Sequence, residues 1–262
     1  MKKILYFIAI VSILSSCEDI IDVDLHSVAP EVVIEGVIRM DEYAHVFITK
    51  TKDFDADNNY TPIKDAQVVI TDDAGNSEEL KPDASGRYVA TSIIGVEKRT
   101  YNLSVTYEEK NYTATSYMPP RVEIDSITAF RFPVADCYYP QVHFADPLGE
   151  ENQYYRFVCG INNEWPKNIA KLQLSTEFLD GNVIHDPIFF YFDDDNDDDD
   201  VIQNGNLITL EMQCIDRGTY YFFETLSNTG MAAANPTTNI KGGALGYFGA
   251  YSYTQLSAVM EW

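Results

Sequence analysis

The densest concentration of chemically capable side chains is FDDDNDDDDV, residues 192–201, where aspartates occupy seven of the eight positions from Asp193 to Asp200. Asp193, Asp195 and Asp197 have the one-three-five spacing with which a calcium loop turns alternate carboxylates onto one ion. Asp198 stands where such a loop needs glycine, and Asn204 where it needs a bidentate glutamate, so an EF-hand is excluded. Two readings stay open. One is a looser calcium site, in the roughly 10⁻⁴ to 10⁻³ M range of extracellular modules. The other is a solvated acidic tip between Phe192 and Val201, whose charges repel and whose insertion costs little loop entropy. Other reactive residues form no recognisable constellation. His26, His45, His143 and His185 are scattered, with no HExxH and no closely spaced pair for zinc. A GxSxG nucleophile elbow is absent. Among 41 acidic residues, paired carboxylates arise by chance, so a glycosidase-like pair cannot be singled out. The expected class is non-catalytic.

Cys17 is different, because its chemistry follows from its neighbours. Lys2 and Lys3 precede an apolar run from Ile4 to Leu14, which ends in Leu14-Ser15-Ser16-Cys17. That run is too short to cross a hydrocarbon core, which takes roughly 20 helical residues, and its charged start fits an export signal. Leu-Ser-Ser-Cys resembles the bacterial lipobox, which implies cleavage before Cys17 and a diacylglycerol thioether on its sulfur. Two or three acyl chains, at about 0.8 kcal/mol per buried methylene, make a durable anchor. Residues 1–16 are thus read as a signal peptide and 17–27 as an acidic tether, with Glu18, Asp19, Asp22 and Asp24 close to the lipid. Acids directly after a lipidated cysteine resemble the signal that sends lipoproteins of the Bacteroidota to the outer face of the outer membrane.

Removing residues 1–16 leaves 16 basic against 41 acidic residues, a net charge of −25. Such a surface repels phosphate and lacks a basic stripe, so nucleic acid is not an expected partner. Cys137, Cys159 and Cys214 form an odd set in an oxidising compartment. One disulfide with a spare thiol is possible, and the pairing is open.

These residues must be positioned by strands. Val32 to Ile38 suits a buried strand, and Ala44, Val46 and Ile48 alternate with His45, Phe47 and Thr49. Val68 to Thr71 runs into Asp72-Asp73-Ala74-Gly75-Asn76, which has hairpin-turn chemistry. Tyr101, Leu103, Val105 and Tyr107 fall on one face by period two. Turn signals roughly every 8 to 12 residues predict a β-sandwich over 28–120, ended by Met118-Pro119-Pro120. A second β-rich domain, 121–262, is expected to carry strands at Gln141 to Phe144, Tyr154 to Ile161, Lys171 to Phe178, Ile188 to Phe192 and Leu207 to Cys214. Thr219 to Leu226 suits either a short helix capped by Asp216 or an aromatic strand. The predicted fold class is mostly β: an Ig-like or transthyretin-like sandwich, then a second β-rich domain with at most one or two short helices.

Several stretches carry a family resemblance. PIKDAQVVITDDAGNSEELKPDASGRYVA is similar to carboxypeptidase-regulatory-like and transthyretin-like sandwiches. CEDIIDVDL with PEVVIEGVI, DPLGEENQYYRF and NPTTNIKGGALGYFGAYS resemble, in order along the chain, the Bacteroidota lipoprotein family known as domain of unknown function 4249. The aspartate run departs from that family's shorter acidic turn. The resemblance implies an outer-membrane lipoprotein, often encoded beside a TonB-dependent transporter, with no established reaction. Asp125-Ser126-Ile127 resembles the O-glycosylation acceptor of the same bacteria, and a plain linker serine is the alternative. In the Gly-rich close, Tyr247, Phe248 and Tyr251 either pack as a glycine-bent final strand or face a ligand.

Two functional readings follow. The chain is either an accessory, ligand-capturing partner of a TonB-dependent importer, or a surface adhesion module that extends from the membrane. Eighteen tyrosines offer stacking surface for a sugar or peptide ligand. The expected location is the outer membrane, lipid-anchored, on its extracellular face.

Overall fold

The computed structural model describes residues 29–52, 60–134, 137–149, 154–165, 172–189, 202–227 and 234–262. The fold is mostly β. Its first seven strands are β1 (Val32–Arg39), β2 (Tyr43–Lys50), β3 (Gln67–Asp72), β4 (Ser77–Pro82), β5 (Tyr88–Ile94), β6 (Arg99–Tyr107) and β7 (Lys110–Met118). There follow β8 (Ser126–Arg131), β9 (Tyr138–Ala145), β10 (Tyr154–Ile161), β11 (Gln173–Ser175), β12 (Val183–Pro187) and β13 (Leu207–Cys214). One helix, α1 (Arg217–Ser227), and a long last strand, β14 (Leu245–Val259), complete the described elements. No helix among the described residues is long and apolar enough to cross a membrane.

Period-two patterning gives the first core directly. Ile34 and Ile38 of β1, Val68 and Ile70 of β3, and Tyr101, Leu103 and Val105 of β6 all point inward. The turn after β3 forms because Asp72 replaces missing backbone partners. Its Oδ1 accepts the amides of Ala74 and Asn76 at 3.0 and 2.9 Å, and its Oδ2 takes the Arg99 guanidinium at 2.9 Å. Glu78 does similar work on β5. Pairing of β4 with β5 stops at Lys81 and Val89, and beyond it the Glu78 carboxylate accepts the amides of Thr91, Ser92 and Ile93 plus both hydroxyls. Burial pushes the Glu78 carboxyl up, but the bonds from Ser92, Thr91 and Ile93 outweigh it and hold the group down at about 2.

The strands form an eleven-stranded sheet ordered β11-β10-β13-β14-β1-β2-β5-β4-β3-β6-β7, and a three-stranded sheet ordered β12-β9-β8. The large sheet folds back so that β7 lies against β14, and Thr113 and Lys241 exchange backbone hydrogen bonds of 3.0 and 2.7 Å. This encloses the first core in a sandwich-like arrangement. A second core, with Phe144, Tyr155, Phe157, Ile208, Leu210 and Met212, lies between the three-stranded sheet and the β10-β13 end of the large one.

The last strand belongs to both cores. Leu245–Tyr251 runs parallel to Val33–Arg39 of β1, and Ser252–Val259 runs antiparallel to β13. Fifteen residues at about 3.3 Å each span roughly 50 Å. Ile240, Ala244, Phe248 and Ala250 complete the first core, while Leu256 and Ala258 pack on the second. The residues of the second core thus run from Val122 to Cys214 before residues 240–253 return to the first. Gly246 permits the close approach to β1. Its φ is +94° and a Cβ there would lie 2.1 Å from the Ile34 carbonyl oxygen, so no other residue fits.

The ambiguous aromatic segment is helical. Asp216 caps it, with its Oδ1 accepting the Thr219 amide at 2.8 Å, and Phe222 and Phe223 pack on Tyr247 at ring-centroid distances of 4.6 and 4.9 Å. The same carboxylate reaches the first core. Asp216 Oδ2 accepts from the Ser116 hydroxyl at 2.5 Å and the Tyr117 amide at 3.1 Å, while the Ser116 oxygen accepts the Ala250 amide at 2.8 Å. Arg39 of β1 adds an ion pair to Glu211 of β13 at 2.6 Å, with its guanidinium 3.7 Å from the centre of the Tyr253 ring.

Two expected strands move. The strand expected over Lys171 to Phe178 ends at Ser175 among the described residues, because Thr176 turns inward onto Asp146 and the chain then forms a turn to Gly181. The strand expected at Ile188 to Phe192 is preceded by β12, whose partner β9 is reached only after that turn; residues 190–192 lie outside the described set.

Candidate functional site

The expected lipidation residue, Cys17, and the expected calcium ligands, Asp193, Asp195 and Asp197, lie outside the described residues. Ser126 is exposed at the start of β8, where its hydroxyl meets solvent. Cys137, Cys159 and Cys214 carry thiols and form no disulfide. Cys159 and Cys214 are buried in the second core, where burial pushes the Cys159 thiol up to about 12. They pack as small apolar side chains. The Gly-rich close is a bent strand pinned in place: Phe248 is 0% exposed, and Tyr247 is sandwiched by α1 with its phenol raised by burial to about 12.

The histidines are not all isolated. His143 of β9 and His185 of β12 are register partners, and their Nδ1 atoms approach to 2.5 Å. Forty-two positions separate them in sequence, so spacing could not have paired them; only the β9-β12 ladder does. Ser126 is the register partner of His143 on the other side, so the three residues form one row across the small sheet.

One exposed apolar surface among the described residues is the end of the second core where the chain leaves β9 and enters β12. Two turns meet there. Asp146, 4% exposed, is the post that holds them: its Oδ1 accepts the Tyr155 hydroxyl at 2.7 Å and the Thr176 hydroxyl at 3.0 Å, and its amide donates to the Asn182 carbonyl at 2.9 Å. Burial first, then the bond to Asp146, raises the Tyr155 phenol far above its ordinary range, so it stays a donor. Across the gap, Asp180 Oδ1 accepts the Gly149 amide at 2.8 Å, and Tyr154 donates to Glu177. This polar bracing carries an apolar tip. Phe178 is 96% exposed and Leu148 85%, with Leu179 and Val183 beside them and also exposed. Leu148 lies against Gly181 of the facing turn. Apolar side chains clustered in water on a braced frame are uncommon on a surface that stays free, where exposed apolar residues are usually scattered singly. Burying each Leu or Phe would yield about 1.5–3 kcal/mol.

Asp146-Pro147-Leu148-Gly149 and Asp180-Gly181-Asn182 are legible in sequence as turns. Their meeting is not, because it needs the β9-β12 register and the inward rotation of Asp146.

No curated protein matches the chain. The family model described as domain of unknown function (DUF4249) matches residues 18–257, which include β1 to β13, α1 and β14 as far as Ser257. The chain therefore belongs to the DUF4249 family.

Proposed function

We propose that this protein is a lipid-anchored, surface-displayed lipoprotein of the outer membrane that acts without catalysis as an accessory or ligand-capturing partner of a TonB-dependent transporter. The observation that carries this reading is the braced apolar tip of Leu148, Phe178, Leu179 and Val183. Its occupant is the transporter barrel itself. A net charge of −25 after removal of residues 1–16 disfavours docking on an anionic lipid surface, whereas Cys17 would confine the tip to the membrane in which the barrel sits. Rigid bracing by Asp146 lowers the ordering cost of docking.

The test is affinity purification of the full chain from solubilised outer membranes, followed by mass spectrometry. A barrel transporter is expected with the wild type, and its yield should drop at least about tenfold with Leu148→Asp/Phe178→Asp, since each lost apolar contact exceeds the 1.4 kcal/mol that a factor of ten represents. Equal recovery with the variant would reject the tip as the docking surface. A monomeric chain that binds only host or matrix ligands would favour the adhesion reading instead. Glycosylation belongs to the same surface display: Ser126→Ala should remove one glycan mass from the intact protein, and an unchanged mass would leave Ser126 a plain serine.

A further inference from the structure

We propose that His143 and His185 form a two-histidine chelate for a borderline divalent transition metal, Cu²⁺, Zn²⁺ or Ni²⁺, on the outer face of the three-stranded sheet. The geometry begins with the ladder. His143 and His185 are directly opposed on adjacent antiparallel strands, which fixes their Cβ atoms within reach of one another on the same face. Val142, Phe144 and Ile184, which alternate with them, are buried in the second core, so the pair is held by strands that cannot rotate without losing that core.

The rings then converge through like atoms. The two Nδ1 atoms stand 2.5 Å apart, with ring centroids at 4.8 Å and planes at 60°. Two lone pairs cannot face each other at that distance, and two N–H groups cannot either, so one ring donates an Nδ1–H to the Nδ1 lone pair of the other, and a metal ion would take the place of that hydrogen. A metal with bonds of about 2.0–2.1 Å needs the two nitrogens near 3.4 Å in tetrahedral geometry, an opening of about 1 Å. That opening is available by side-chain rotation, because His185 is exposed and His143 only half-buried.

The opposite side of His143 is already arranged as a metal ligand requires. Its Nε2 lies 2.7 Å from Thr128 Oγ1. With Nε2–H donated to the hydroxyl oxygen, Nδ1 is left as the electron-pair donor, the usual arrangement of a ligating imidazole and its outer partner. Imidazole nitrogen selects Cu²⁺, Ni²⁺ and Zn²⁺ over the oxygen-seeking Ca²⁺ and Mg²⁺. No group of three or more histidine, cysteine or acidic side chains suited to a metal occurs among the described residues, so no third described side chain of these types joins the pair. The proposal does not depend on the transporter reading.

Calorimetric titration of the full chain with Cu²⁺ and with Zn²⁺ at neutral pH tests this, alongside His143→Gln, His185→Gln, Thr128→Val and a His45→Gln control. Each histidine variant should weaken binding by more than about tenfold, Thr128→Val by about tenfold, as loss of an outer-shell partner does, and His45→Gln not at all. Electron paramagnetic resonance of the Cu²⁺ form should show two coupled imidazole nitrogens in the wild type and one in either single variant. Affinity and spectrum unchanged in His143→Gln and His185→Gln would overturn the proposal and assign the metal to the carboxylates. A wild-type spectrum without two coupled nitrogens would overturn it as well, whatever the variants do.

Discussion

Replacing Phe248 with alanine separates a chain of two independent domains from one joined by its last strand. Phe248 is fully buried in the first core, where its ring lies over Gly36, its register partner on β1. Removing the ring leaves a cavity beside a residue with no side chain to fill it, so the cost belongs in the range of about 3–5 kcal/mol for Phe→Ala. At a urea m-value of about 2–3 kcal/mol/M, the midpoint falls by roughly 1–2.5 M. The two tryptophans, Trp165 and Trp262, both lie beyond the first core, and Trp262 stacks on Tyr138 at 4.0 Å. Tryptophan fluorescence therefore reports the second core alone, and far-UV circular dichroism reports both. If β14, Asp216 and the Arg39–Glu211 pair make one cooperative unit, both signals shift together in Phe248→Ala. A fluorescence midpoint that stays at the wild-type value while the dichroism midpoint falls would refute the coupling.

Glu78→Gln should flatten the acid limb of the stability profile. The folded pKa lies near 2 and the reference value is 4.5, so the unfolded chain binds the extra proton. The contribution is full above about 4.5 and lost as pH falls towards 2. Parallel melting-temperature profiles for the two proteins over that window would remove Glu78 as a ladder substitute. Cys17→Ala should leave an uncleaved or mislocalised precursor, since the thioether is the expected anchor; normal outer-membrane fractionation of that variant would end the lipoprotein reading. Millimolar calcium should raise the melting temperature of the wild type and not of the Asp193/Asp195/Asp197→Asn triple variant. Equal shifts, or none in either, would leave a solvated acidic tip.

What the sequence discloses here is local. The alternation at Tyr101, Leu103 and Val105 predicts a strand because side chains of period two need no distant information, and Asp72 to Asn76 predicts a turn because the aspartate bonds its own neighbours. Tyr154 to Ile161 and Leu207 to Cys214 coincide with β10 and β13 for the same reason. The parallel pairing of β1 with β14 joins the two ends of the described chain, and no periodicity carries that. Thr219 to Leu226 stays ambiguous by propensity; its helical state is decided by the Asp216 cap and by Tyr247, which arrives from β14. The apolar tip and the histidine row share one cause. Both are made by the β9-β12 register, which places residues about 30 to 42 positions apart side by side.

The parallel direction of β1 and β14 also sets how the molecule bears load. The segment before β1 leaves at Val32, and β14 continues past Tyr251 into the second core in the opposite direction along the same axis. A pull between that segment and the second core thus acts lengthwise on the β1-β14 ladder, straining its hydrogen bonds in shear and all together. Peeling would break them one after another at far lower force. Placed between a membrane anchor and a partner held at the far tip, the chain would work as a taut link, with its strongest line running through residues 33–39 and 245–259.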